Sequence, residues 1–507
     1  MSPELWAVLP FLVLSISAVV VMLMIAVRRN HQAVAIATTI GLMAALITII
    51  PAAPPAPVMV TPLFLVDGFT LFFLALVITA SIAVLLLSYA YLNHMEDGPY
   101  EEYYLLLLLA TLGAAALLAS IHFVSFFLGL ETLSIALIGL IAYPRMRERA
   151  IEAGLKYLIL AGVSSAFLLF GIALIYLDFG TMSFSTLGQL WSRPQNPDDI
   201  YAFTGFAMLL TGIGFKLSLV PFHMWAPDIY EGAPTPVAAF VAVVSKIAIF
   251  ALLFRFFVLM DGYQYQSLLR VVTLVAILSM LTGNLLALLQ NNVKRILAYS
   301  SIAHFGYVLV AFLAGSTIAI EAAGYYLSAY AVTTIGAFGV VTLLSQLGKG
   351  QDADQLEAYR GLMWSHPWLA GAFTLLLLSL AGLPPTMGFI AEVYVMTSGV
   401  EMRLALPLTA LVIGSVIGLY YYLRIIVVLL SPMPGGIQPL VVRNFPRTGG
   451  ITLAALIVLV IWLGVYPMPL ISTIQQTTAG LASYRANFHA ASAPHGFASL
   501  GSSRSNQ

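Results

Sequence analysis

The sequence predicts an all-α polytopic membrane protein with about fourteen transmembrane helices and two inverted five-helix repeats, each holding a broken helix. Three observations point there. The chain is 61% hydrophobic and only 8% charged, against roughly 25% charged residues in a soluble domain. Apolar runs of about 20 residues, enough to cross a hydrocarbon core, recur along its length. Two of those runs, five spans apart, are interrupted mid-way by proline and glycine. The same composition excludes other classes. A net charge of zero gives no basic field for nucleic acid. The absence of cysteine removes disulfides, iron–sulfur clusters and thiolate metal sites together.

The first run, MSPELWAVLPFLVLSISAVVVMLMIAVRR, has Glu4 as its first charge and places Arg28 and Arg29 after the apolar stretch. It therefore reads as a retained helix rather than a secretory signal. Candidate spans lie at 4–27, 33–50, 63–92, 103–120, 123–143, 150–177, 202–230, 235–260, 267–289, 293–315, 318–347, 365–400, 404–432 and 449–472. Lys and Arg in alternate connections set the orientation. Arg28, Arg29, Arg145, Arg147, Arg149, Lys294, Arg295, Lys349, Arg360, Arg443 and Arg447 fall on one side, eleven in all. Arg193, Arg255, Arg270 and Arg403 fall on the other, four before the C-terminal tail. The bias puts the first side in the cytoplasm and both termini in the periplasm of a bacterial inner membrane. The tail, 481–507, is small, polar and aperiodic, and reads as disordered.

Spans seven and twelve are abnormal. Span seven reads GFKLSLVPFHMWAPD, with Pro221 and Pro227 inside an apolar run. Span twelve reads LSLAGLPPTMGFIAEVYVM, with Gly382, Pro384, Pro385 and Gly388 in its middle. Proline removes a backbone donor and clashes with the preceding turn, so both helices should break at membrane depth. Irregular backbone persists there only when buried in protein or lining a wet cavity. Lys216 precedes its break and Glu392 follows its own, as repeats of inverted topology would give. The chain then divides into three N-terminal helices (1–100), a first repeat of spans four to eight (101–262) and a second of spans nine to thirteen (263–435). A last helix (436–480) and the tail complete it. Two unrelated kinks are the alternative.

Charges inside spans need a reason, because Lys, Asp or Glu at mid-membrane costs roughly 2.5–3.5 kcal/mol. Glu131 lies in span five, Lys216 five residues before the break in span seven, Lys246 near the centre of span eight, and Glu392 after the break in span twelve. Lys156, seven residues after Arg149, is close enough to the membrane surface to snorkel. Arg424, eight residues from the cytoplasmic end of span thirteen, reads as a snorkelling residue. Burial disfavours a charged lysine and a nearby carboxylate favours it, so moving one charge can load or empty the site. A Glu131–Lys216 pair would titrate as one system. His223, beyond the span-seven break, and His304, in YSSIAHFGY of span ten, suit proton relay. The alternatives are static ion pairs that fix helix packing and core histidines bonded to hydroxyls. No Gly-rich phosphate loop, CxxC or paired mid-membrane histidines at haem spacing occurs, so no cofactor or metal site is expected in this chain.

GLE in span five, GFKLSLVPFHMWAPDIYEGAPTPV, NNVKRILAYSSIAHFGY and SLAGLPPTMGF together resemble the antiporter-like N subunits of bacterial NADH–quinone oxidoreductase, respiratory complex I. The likeness is dense over roughly residues 100–430, and the PFH–PD–EG–PTP string is its most specific part. The resemblance implies a proton-pumping membrane-arm subunit. Its partners would be other membrane and peripheral subunits, above all neighbouring antiporter-like ones. FMN, iron–sulfur clusters and quinone would sit on those partners. It also implies roles for Glu131, Lys216 and Lys246 along a central hydrophilic axis, with Lys156 at the family's span-six lysine. One position departs: Glu392 stands where N subunits usually carry lysine, and a glutamate there resembles the sister M subunits. A free-standing cation/proton antiporter and a hydrogenase-type membrane arm are the alternatives.

Overall fold

The computed structural model describes residues 2–53, 57–93, 95, 98–191, 200–345, 352–432 and 447–478. The expected disordered tail, 481–507, lies outside the described residues, as do Arg193, Lys349 and Arg443. Among the described residues twelve helices are long and apolar enough to cross a membrane, and two shorter apolar ones, Ile200–Lys216 and Pro367–Leu380, join them. The two short helices are the first halves of the proline-broken spans, so the fourteen expected spans are accounted for.

In chain order span 1 is Pro3–Val27 and span 2 His31–Ile47. A two-stranded antiparallel hairpin, β1 (Val58–Thr61) and β2 (Phe64–Val66), leads into span 3, Gly68–Asn93. Span 4 is Glu101–Ala119, span 5 Phe123–Ile141 and span 6 Glu148–Phe179. Span 7 is split into Ile200–Lys216 and Trp225–Gly232. Span 8 runs from Thr235 to Leu259 with a π-helical turn, Val241–Ser245, in its middle. Spans 9, 10 and 11 are Gln266–Leu288, Val293–Ala314 and Thr317–Ser345. Span 12 is split into Pro367–Leu380 and Met387–Glu401; Ala405–Leu430 and Arg447–Val465 are spans 13 and 14.

Spans 8, 10 and 11 form the core: 94–100% of their apolar windows is buried, against 22–39% for spans 1, 2, 6, 9, 13 and 14. Small residues set how closely neighbouring spans approach. Where Gly171 of span 6 meets Gly205 of span 7, a methyl group on either would stand within 3 Å of the other's carbonyl oxygen. Small residues permit this approach, and apolarity alone drives little helix association in lipid.

Arg255 corrects one expectation. It is no loop charge; it lies in span 8, fully buried, and its Nη2 donates to the equally buried Asp67 at 2.7 Å and to Thr70 at 2.8 Å. Span 8 continues to Leu259, one turn beyond it, which places the guanidinium inside protein rather than in headgroups. Arg424 does reach outward, donating to the Leu288 carbonyl at 2.9 Å and to Asn291 at the end of span 9.

Candidate functional site

The first break is built from a serine and a proline. Span 7 halts at Lys216; Ser218 takes a positive φ of 59°, and Pro221 follows. Freed backbone groups find partners from packed neighbours, as membrane depth requires. The Val220 N–H donates to Ser279 Oγ of span 9 at 3.0 Å, and Trp225 Nε1 donates to the Phe215 carbonyl at 2.8 Å. Lys216 ends the half-helix, where orphan carbonyls favour a cation. Lys216 is 3% exposed, and its ammonium donates to Ser134 Oγ at 2.8 Å and stands 6.0 Å from the Tyr157 ring centroid.

Glu131 lies one turn before Ser134 on span 5, on the same face. It accepts from Ser165 Oγ of span 6. No direct Glu131–Lys216 ion pair forms among the described residues, although the carboxylate is near enough to act on the ammonium electrostatically. Each charge ends instead on its own serine.

Lys246 follows directly on the π-helical turn of span 8. Such turns inside helices recur at functional sites. Its side chain is completely buried, with Nζ donating to Ser301 Oγ at 2.8 Å and lying between the Phe305 and Tyr230 rings at 5.2 and 5.7 Å. Tyr330 of span 11 also donates to Ser301, at 2.7 Å. With both lone pairs of that hydroxyl taken, its own proton must point elsewhere.

Tyr330 leads to the second break. It lines a cavity of about 10 Å³ together with His304, Tyr326, Thr333, Gly388 and Glu392, room for about one water. His304 bonds Tyr326 through Nδ1 at 2.6 Å and Tyr422 through Nε2 at 3.1 Å. Glu392, 7% exposed, accepts from Ser415 of span 13 at 3.0 Å. Its carboxylate packs on Gly382, whose φ is +67° and where an added methyl would sit 2.5 Å from Oε2. Only glycine serves there.

Two predicted residues fall off this line. His223 is buried beyond the first break and bonds neither Lys216 nor Lys246. Lys156, 45% exposed, pairs with Glu152 at 2.7 Å and Asp228 at 3.2 Å. Asp228 also binds Arg295, which reaches Glu231 at 2.8 Å. Beside that cluster Asp352 accepts from Tyr91 at 2.7 Å, Thr235 at 2.7 Å, Lys294 at 2.8 Å and Arg147 at 3.2 Å. Burial opposes ionisation of Asp352, but Lys294 and Arg147 hold its carboxyl down to about 2. The PD, EG and PTP residues of the specific string thus build a polar lattice tying spans 3, 6, 7, 8 and 10 to the connection after span 11. Sequence reasoning missed this lattice, and also Ser134, Ser165, Tyr330 and Ser415. Their signal is weak, since hydroxyls in helices more often bond their own preceding turn.

Broken helices at membrane depth, with buried lysines and a carboxylate on hydroxyl partners between them, define an antiporter-like membrane protein. The family described as NADH:quinone oxidoreductase/Mrp antiporter, TM, matches residues 120–418, and the chain belongs to it. NADH-quinone oxidoreductase subunit N of Ectopseudomonas mendocina (strain ymp) is 47% identical over 480 residues, 93% of this chain and 96% of that protein. A chain of respiratory complex I from Thermus thermophilus with bound aureothin is similar at 31% identity and a TM-score of 0.77, over 91% of this chain and 98% of its own. A chain of the Mrp complex from Dietzia sp. DQ12-45-1b shares the fold, with a TM-score of 0.83 at 21% identity over 97% and 99%.

Proposed function

We propose that this chain is a proton-translocating membrane-arm subunit of an NADH–quinone oxidoreductase, with NADH oxidation and quinone reduction carried by partner subunits. The observation that carries the reading is the run of buried charges, Lys216, Lys246 and Glu392, each ending on a hydroxyl. The family and the subunit N relative supply the oxidoreductase context. FMN, iron–sulfur clusters and quinone belong to the partners, and the basic-rich face of the chain is cytoplasmic, with both termini periplasmic. Spans 4–8 and 9–13 are the two inverted repeats.

Loading begins at Glu131. A direct contact with Lys216 at about 4 Å would contribute roughly 4 kcal/mol at an effective dielectric near 20. Ser165 and Ser134 hold the two apart, so a change of field at Glu131 that exchanges serine partners for direct pairing switches the ammonium between two states. Once the Ser301 and Tyr330 hydroxyls turn so that Ser301 donates to Tyr330 and Tyr330 donates into the cavity beside His304, Lys246 gives a proton to Ser301, Ser301 gives its own to Tyr330, Tyr330 gives its own to the cavity, and Glu392 receives it for release. Lys156 tunes the entrance through Asp228. His223 borders the first break. The test is proton pumping per NADH in vesicles holding the assembled complex. Glu131→Gln should lower it severalfold with NADH–quinone turnover retained, and unchanged pumping overturns the role of Glu131.

A second reading, exchange of a cation for protons without NADH chemistry, draws on the likeness of fold to the Mrp chain. Purification from gently solubilised membranes separates the two. Co-purifying NADH–quinone activity and flavin support the first reading; cation exchange by an assembly lacking both supports the second.

A further inference from the structure

The turn between spans 1 and 2 carries four consecutive polar residues, Arg28 to His31. Three are committed within the protein. Arg29 pairs with Glu102 of span 4 at 2.6 Å. Asn30 caps span 2, its side-chain oxygen accepting from the Ala33 N–H at 2.9 Å. His31 bonds Asn93 at 3.0 Å and Tyr104 at 2.6 Å, and stacks on Tyr89. Arg28 alone makes no ion pair or side-chain hydrogen bond among the described residues.

Arg28 lines a shallow groove of about 500 Å³ between spans 1 and 2 together with Val20, Leu23, Met24, Val27, Asn30 and Ala33. From Val20 to Val27 the trough runs about 10 Å along the helix. Apart from the capping Asn30 the walls are apolar; Leu23 and Val27 are 55% and 87% exposed. An acyl chain would cover that trough. A second transmembrane segment would cover it too, but would leave the guanidinium without a counter-ion unless it also brought an acid. Among the described residues the groove therefore presents one unpaired cation at one end and hydrocarbon surface along the rest, the complement of a lipid with an anionic head.

We propose that this groove binds one anionic phospholipid, its phosphate on Arg28 and an acyl chain along Val20, Leu23 and Val27. The planar guanidinium suits bidentate capture of phosphate oxygens. Basic pockets between helices on a cytoplasmic face bind such headgroups, and this end is cytoplasmic in the orientation proposed above. The lipid would brace the hairpin of spans 1 and 2, whose Arg29 and His31 grip spans 3 and 4.

The experiment uses the assembled complex in mild detergent, labelled with photoactivatable phosphatidylglycerol or phosphatidylcholine and mapped by mass spectrometry. Residues 20–33 should be labelled by phosphatidylglycerol in preference to phosphatidylcholine. Arg28→Gln should lower that labelling at least about tenfold, through loss of its charge-assisted contact with the phosphate. Ala33→Trp, which fills the trough and keeps the charge, should also lower it. Equal labelling by the two lipids, labelling indifferent to Arg28→Gln, displacement by inorganic phosphate alone, or no labelling because another subunit covers the groove would each overturn the proposal. None of these outcomes bears on proton translocation, so failure here leaves the functional reading untouched.

Discussion

The two broken helices use one device with opposite consequences. In span 7 the break leaves a lysine as the last residue of its half-helix, and the freed Val220 N–H is held by Ser279, a residue of span 9. In span 12 the turn rests on Gly382, the Gly388 N–H is held by Ser379 of the same span, and the charge beyond it is a glutamate. The freed N–H of the second break is therefore met within its own span, whereas that of the first is fastened to the opposite half of the molecule. A rearrangement at Lys216 must be felt in span 9; one at Glu392 need not be felt in span 7. The first charge pair is also the more open, since Glu131 is only half-buried in the isolated chain while Glu392 is enclosed by tyrosines and a small cavity. The first half reads as the receiver of an external field, the second as an enclosed path.

The largest effect should come from removing either lysine. Lys216→Met or Lys246→Met should reduce proton translocation about a hundredfold, the lower end of what a positioned proton-transfer group supplies. Pumping by reconstituted complex of verified assembly checks this. If only one of the two substitutions has that effect, the two lysines do not lie on one path.

Tyr330→Phe should come next. It keeps the ring and deletes the hydroxyl between Ser301 and the cavity, removing one of the two bonds to Ser301 at about 1.4 kcal/mol, or roughly tenfold in rate. His304→Gln is the contrast, because His304 lines the same cavity but makes no bond to Lys246 or Ser301. A larger loss for His304→Gln than for Tyr330→Phe would move the path from the tyrosine to the histidine.

Ser279→Ala and Ser379→Ala test the asymmetry of the breaks. Each leaves a backbone N–H unpaired at about 1–3 kcal/mol. Only Ser279→Ala should disturb both halves, visible as faster hydrogen exchange in spans 7 and 9 together. Equal, purely local changes in the two variants would remove the distinction.

Most of the architecture was legible because hydropathy and proline punctuation report directly on what a bilayer permits. The two short helices left by Pro221 and Pro385 show why a length criterion alone counts twelve spans among the described residues and passes over the two broken ones. The buried charges were legible for the same reason, since Glu131, Lys216, Lys246 and Glu392 stand out against apolar neighbours. Their partners were not. Ser134 is three residues from Glu131 in the chain, yet it serves Lys216, which lies 82 residues away. Arg255 looked like a loop charge because its partner, Asp67, is 188 residues distant. Contact across helices depends on rotation and tilt, which packing sets and a single sequence does not print.

The lattice that joins the two halves should be the quietest part at neutral pH. Asp352 has a folded-state value of about 2 against an ordinary 3.8. A depressed carboxyl contributes stability that is present above its unfolded value and lost as pH falls through the folded one. The contribution, about 2 kcal/mol at roughly 1.4 kcal/mol per pH unit, is thus complete at pH 7 and fades between about 4 and 2. Thermal unfolding of the solubilised complex should show no dependence on this group from pH 8 to 5. Asp352→Asn should lower the midpoint at pH 7 and flatten the decline below pH 4, since four donors then converge on a side chain that carries no charge. If the acid decline is unchanged in Asp352→Asn, the joint between the halves is held by Asp228 and Glu231 instead, whose pairing with Arg295 links span 7 to span 10 independently of the connection after span 11.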